Sequence, residues 1–285
     1  MLRIFAIAVA VSLPVLAAHA EGPSGRPRVG ETYAIRREAN SSWTGASSGT
    51  THDVDVIFER VIAIDDAGDQ LEFDLPDGTS AEDRASEWQF PVRVLRPRQG
   101  PFQLLNASEL EGRLVRWLRA AGLTREACGQ WYFTWNAFQI DCDPQTVIHT
   151  VEIFEQWPED LREGASYRQD GSQGAVTLTE QGSGSERVYV ARMQADAEVV
   201  RRERARQDVV VGQILRRPVT FDVALAARSA ERISGTITTT FEMEAGANIR
   251  RRTTVTELEI SGAEGQEHRT TTETLERRLI SSPAT

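Results

Sequence analysis

The chain has 285 residues, is 40% hydrophobic and 26% charged, and carries a formal net charge of −10 with 42 acids against 32 basic residues. Two cysteines, 21 glycines and 11 prolines exclude a collagen-like, disulfide-dense or wholly disordered chain. Every basic residue is arginine, and no basic tract is long enough to suggest a nucleic-acid partner.

Met1-Leu2-Arg3, the apolar run Ile4 to Ala18 and the ending Ala18-His19-Ala20 read as a secretory leader over 1–20. Pro14 and a run of about 15 residues argue against a permanent membrane span, which needs roughly 20. The expectation is an exported chain, periplasmic or secreted, without a membrane span after cleavage. Residues 21–30, rich in Gly and Pro, read as a flexible lead-in.

A Ser/Thr/Gly loop is expected from Ser41 to Thr51, interrupted by Trp43. A strand follows, with His52, Val54, Val56, Phe58, Arg60, Ile62 and Ile64 on one parity, taken as the dry face. Asp53, Asp55 and Glu59 stand on the wet one. Asp65 to Asp69 supplies a turn in which Gly68 suits a positive φ, and Leu71, Phe73 and Leu75 complete a hairpin. Trp88, Phe90, Val92 and Val94 make another short strand. One helix is expected near 107–121. Ser108 with Glu111, or Asn106 with Glu109, opens it; Leu110, Leu114, Trp117, Leu118 and Ala121 form its apolar stripe; Gly122 stops it. Thr124 suits the start of a shorter turn.

Trp131, Phe133 and Trp135 share one parity of a strand apolar on both faces, which is expected to be central or covered by the helix. Val147 to Trp157 continues it, with His149 on a buried parity. In an oxidising compartment Cys128 and Cys142 should pair as a disulfide across 14 residues. Pro158 to Gly164 divides an aromatic-rich half, 31–158, from a Thr/Arg-rich half, 159–285, expected to be continuous with it. Alternation resumes over Val176–Thr179, Tyr189–Val199, Val219–Ala227, Ile233–Met243, Ile249–Ile260 and His268–Leu279. Ala195–Gln207 leans to strand, with a polar helix as the alternative. Arg201–Arg206 and Arg250–Arg252 are expected on solvated faces. The fold class is mainly β: an antiparallel curved sheet or incomplete barrel with one prominent helix.

Chemistry is sparse. Gly45-Ala46-Ser47-Ser48-Gly49 has the literal pattern of a nucleophile elbow, but a loop before a strand is the wrong context. His52, His149 and His268 have no local metal spacing, Asp65, Asp66 and Asp69 lack a calcium-loop pattern, and no cofactor is implied. The aromatic concentration between Trp88 and Trp157 fits either a core or a hydrophobic-ligand site made by Trp117, Trp131, Phe133, Trp135 and Trp157. Three readings follow: a non-enzymatic exported protein binding a hydrophobic ligand or envelope partner; an envelope hydrolase using His149 or dispersed acids; or a scaffold offering strand edges.

Overall fold

The computed structural model describes residues 27–133, 137–154, 158, 161–182, 187–243, 249–263 and 265–282. The leader, most of the lead-in, Trp135 and Trp157 lie outside the described residues. The elements in chain order are β1 (Thr32–Thr44), β2 (Gly49–Ile64), β3 (Gly68–Asp74), α1 (Ala81–Ser86), β4 (Val92–Pro97), β5 (Gln103–Leu104) and α2 (Ala107–Ala120). Then come β6 (Trp131–Phe133), β7 (Ala137–Gln139), α3 (Val147–Glu152), β8 (Ser166–Tyr167), β9 (Val176–Thr177), β10 (Thr179–Gln181) and β11 (Val188–Gln194). The chain ends with α4 (Ala197–Ile214), α5 (Phe221–Ala227), β12 (Arg232–Met243), β13 (Ile249–Gly262) and β14 (Gly265–Ser281).

Ten strands form one open antiparallel sheet in the order β10-β11-β12-β13-β14-β1-β2-β3-β4-β5, the expected fold class. The last strand, β14, pairs with the first, β1, in the middle of the sheet. Both edges are very short, which blunts pairing with another chain. No helix among the described residues is long and apolar enough to cross a membrane.

Local chemistry explains most boundaries. Gly68 has φ 148, and a Cβ there would lie 2.1 Å from the Arg96 carbonyl, so only glycine lets β3 approach β4. The Asp65 side chain accepts from the backbone N–H groups of Ala67 and Gly68 at 2.8 and 3.2 Å and closes the turn. α2 starts at Asn106, the second of the two expected caps. The Asn106 side chain bonds the backbone of Arg93 and Pro91 instead of the helix, locking α2 to β4. Gly122, at φ 67, ends the helix as its sequence suggests.

Several expectations are corrected. Residues 41–44 and 49–51 are strand, because β1 is paired on both sides, with β2 and β14, and Ser and Thr sit comfortably in a ladder. The dry face of β2 is the opposite one: Ile57, Glu59 and Val61 are buried, while Val54 and Val56 are 44% and 37% exposed. Both parities are apolar there, and the covering helix decides which is dry. Val147–Glu152 is helical, so Val147 and Val151 are buried four apart and His149 is 81% exposed. Residues 197–214 form a helix, the alternative reading for 195–207, and 221–227 is helical rather than strand. Asp196 accepts from the N–H groups of Glu198 and Val199, and Thr220 from that of Val223. α1, not anticipated, is capped by Ser80.

Cys128 and Cys142 form the expected disulfide, with Cα atoms 5.5 Å apart. The bond holds Ala127 and Ile140 against the first core, where Cys142 also packs. A closed loop of this size contributes about 3 kcal/mol by restricting the unfolded chain. Cys142→Ser should therefore lower Tm by about 6–10 °C under oxidising conditions. Reduced wild type and variant should melt together in the same calorimetric scan. A loss of equal size in the reduced state would assign the effect to packing.

One face of the sheet carries threonine and ion pairs. There Glu242 accepts from Arg250 at 2.7 Å and from Arg251 at 3.4 Å. Burial pushes its carboxyl up, but the two guanidinium groups outweigh this and hold it below the usual range. Its contribution is therefore complete above the ordinary carboxylate pKa of about 4.3 and lost as pH falls through the lower folded value. Glu242→Gln should lower Tm by about 1–3 °C at pH 7, with the gap closing below about pH 4 in a pH series of melts.

Candidate ligand-binding face

The other face, here the inner one, carries both cores. The first gathers Ile35, Ile57, Val61, Leu71, Phe73, Val92, Val94 and Leu275 beneath Leu110, Leu114 and Leu118 of α2. The second gathers Tyr189, Ala191, Met193, Ile237, Phe241, Leu258 and Ile260 beneath Tyr167, Leu178 and Val200. Strand register puts both sets on one face, because directly paired antiparallel residues point the same way.

Between the cores the inner face is polar. One cross-strand row reads Tyr189, Phe241, Arg252, Leu275, Arg37 and Asp55; the next reads Ala191, Thr239, Thr254, Glu273, Ala39 and Asp53. Glu273 lies at the junction. One of its oxygens accepts from Arg252 at 2.7 Å and the other from Arg37 at 2.8 Å. Arg37 also reaches Asp55 at 3.3 Å, and Asp55 is open to solvent. Arg252 is fully buried: desolvation pulls its proton affinity down while Glu273 pushes it up. Nearer the first core, buried Glu59 pairs with Arg277, whose guanidinium stacks 3.6 Å from the ring centre of Tyr33. The Tyr33 hydroxyl is raised well above its usual range by burial and by its bond to Glu31.

Sequence reasoning placed Arg252 and Glu59 on solvated faces, whereas both are fully buried, and did not single out Glu273, Arg37 or Arg277. The signal was available for Arg252, which shares parity with Leu258 and Ile260. Of the aromatic candidates, Trp117 packs half-buried against the first core. Trp131 donates its indole N–H to the Gln213 side chain of α4 at 2.8 Å. It lines a depression of about 340 Å³ with Gly129, Gln130, Gln213, Ile214 and Arg216. The backbone of Phe133 is in β6, but its side chain, like Trp135 and Trp157, lies outside the described residues.

A second concavity, about 310 Å³, opens where the β1–β2 and β13–β14 turns meet α4. Arg204 pairs with Glu231 and Glu267 at 3.3 and 3.0 Å, and Arg228 with Asp208 and Glu231 at 2.5 and 2.6 Å. These ion pairs latch α4 to the sheet through Glu267 and to the segment after α5 through Glu231. Ser47, in the elbow-like segment, lines this concavity from a hairpin turn, without the helix that a nucleophile elbow requires.

No family model matches the sequence, and no curated protein matches it. Among solved structures, a chain from "Lipid-protein interactions in lipovitellin" aligns at TM-score 0.43 and 11% identity over 90% of this chain. The alignment spans 26% of the lipovitellin chain's length. A hot-dog-fold protein of unknown function from Alicyclobacillus acidocaldarius aligns at TM-score 0.11 and 12% identity, covering 93% of this chain and 82% of that one.

Proposed function

We propose that this is an exported, non-enzymatic binding protein whose inner face takes an amphipathic ligand, its hydrophobic part beside half-buried Trp117 and its polar part toward the Arg37, Glu273 and Asp55 cluster. The observation that carries the reading is the placement, on one face of the sheet, of two covered apolar cores with a charged cluster between them that reaches solvent at Asp55. The leader expected over 1–20 and the disulfide support export. The packed leucines of α2 argue against a wholly apolar ligand buried beneath that helix. His149, on solvent beside Glu152 at 3.0 Å, lends the hydrolase reading no support. The short edges lend none to an edge-pairing scaffold.

Native mass spectrometry of the full chain, purified without detergent, tests the proposal. The expected result is a non-covalent adduct in the mass range of a fatty acid or phospholipid. Arg37→Gln should reduce its occupancy without changing the fold by circular dichroism. An adduct-free protein that also takes up neither oleate nor phosphatidylglycerol on addition would overturn the reading.

A further inference from the structure

We propose that the last turns of α4 and the loop after it form a docking tip for an anionic lipid surface. This rests on observations independent of the ligand reading above. α4 runs 18 residues yet buries only Ala205 and Gly212. Its end exposes Val211 and Leu215, at 50% and 61%, with Ile214 and Val219 half-exposed beside them. Between Asp208 and Asp222 the only charged residues are Arg216 and Arg217, both exposed, and no ion pair engages either among the described residues. Asp208 is occupied by Arg228, so the charges this end presents are the two arginines, in a chain whose net charge is −10. Trp131 stands against this end through its bond to Gln213. An indole, two exposed aliphatics and two arginines fit the boundary between headgroups and acyl chains. There apolar groups insert and guanidinium groups reach outward to phosphate.

The tip is also held in shape. Arg216 donates its N–H to the Gln213 carbonyl at 3.0 Å, and Arg217 to that of Gly212 at 2.8 Å, a Schellman ending. A Cβ at Gly212 would lie 2.9 Å from the Arg217 carbonyl oxygen and 3.2 Å from Val219, so the loop lies directly on the helix. Arg216 occupies the left-handed position of that ending, at φ 54, where glycine is ordinarily found. An arginine there carries a local backbone cost, and the residue is exposed next to Leu215.

The substitution Arg216→Gly separates binding from folding. Flotation of the full chain with vesicles of phosphatidylglycerol and phosphatidylcholine is expected to recover bound protein, with little bound to phosphatidylcholine alone. Arg216→Gly should keep or raise Tm, because glycine relaxes the left-handed backbone, while vesicle affinity falls about fivefold for the lost cation. Leu215→Ser should also fold normally and bind less, and 0.5 M salt should weaken the wild type. Failure of the wild type to bind anionic vesicles would overturn the proposal. So would equal binding to neutral vesicles or undiminished binding by both variants. None of these readouts depends on the native-mass result.

Discussion

Glu273→Ala should destabilise the protein by about 3–5 kcal/mol, because it removes the carboxylate that compensates a fully buried guanidinium. Arg252 lies between Phe241 and Leu275 in its cross-strand row and is itself fully buried. Glu273 also anchors Arg37, so two cations lose one anion together. Urea unfolding at pH 7 measures the loss. Arg252→Met combined with Glu273→Leu should recover most of it, because matched apolar residues remove the desolvation cost along with the attraction. A single-variant loss below about 1 kcal/mol would mean that the pair is solvated in the native state. Arg37→Gln should cost far less, since its neighbour Asp55 is exposed and the position can rehydrate.

The strand architecture was legible wherever one parity was clearly apolar. β12 is such a case: Ile237, Phe241 and Met243 point inward as their spacing requires. α2 was legible through its leucine stripe and Gly122. β2 was not, because Val56, Ile57, Phe58, Val61 and Ile62 leave both faces apolar. Tertiary covering by α2, together with the Glu59–Arg277 pair, then chose the face. α4 and α5 read as strands because short runs of valine and alanine satisfy a period of two as readily as one of 3.6. The deciding information was Asp196 and Thr220, each placed to cap a helix. The charged row was hidden for a different reason. Alternation assigns a side of the strand, while the burial of Arg252 depends on Glu273, 21 residues away on β14. Trp131 was singled out for its type; its partner Gln213 lies 82 residues away and leaves no trace in local pattern.

Leu114→Ala should cost about 2.7–5 kcal/mol, the range for a buried leucine whose surroundings cannot collapse. Leu114 is fully buried between Leu110 and Leu118 on the stripe that seals α2 against Phe73, Val92 and Val94. Rigid strands beneath and a helix locked at Asn106 leave little freedom to close the void. Val115→Ala, one residue on, removes an exposed side chain and should change stability by no more than about 0.5 kcal/mol. The same pair of variants tests where an apolar molecule can go. A void lined by leucine, valine and phenylalanine stays dry and accepts a molecule the size of benzene. Benzene should therefore raise the Tm of Leu114→Ala and leave wild type unchanged, since the wild-type interface is already filled by its own side chains. Equal stabilisation of both would place a pre-existing apolar cavity under α2 and move the ligand site from the charged cluster to the helix–sheet interface.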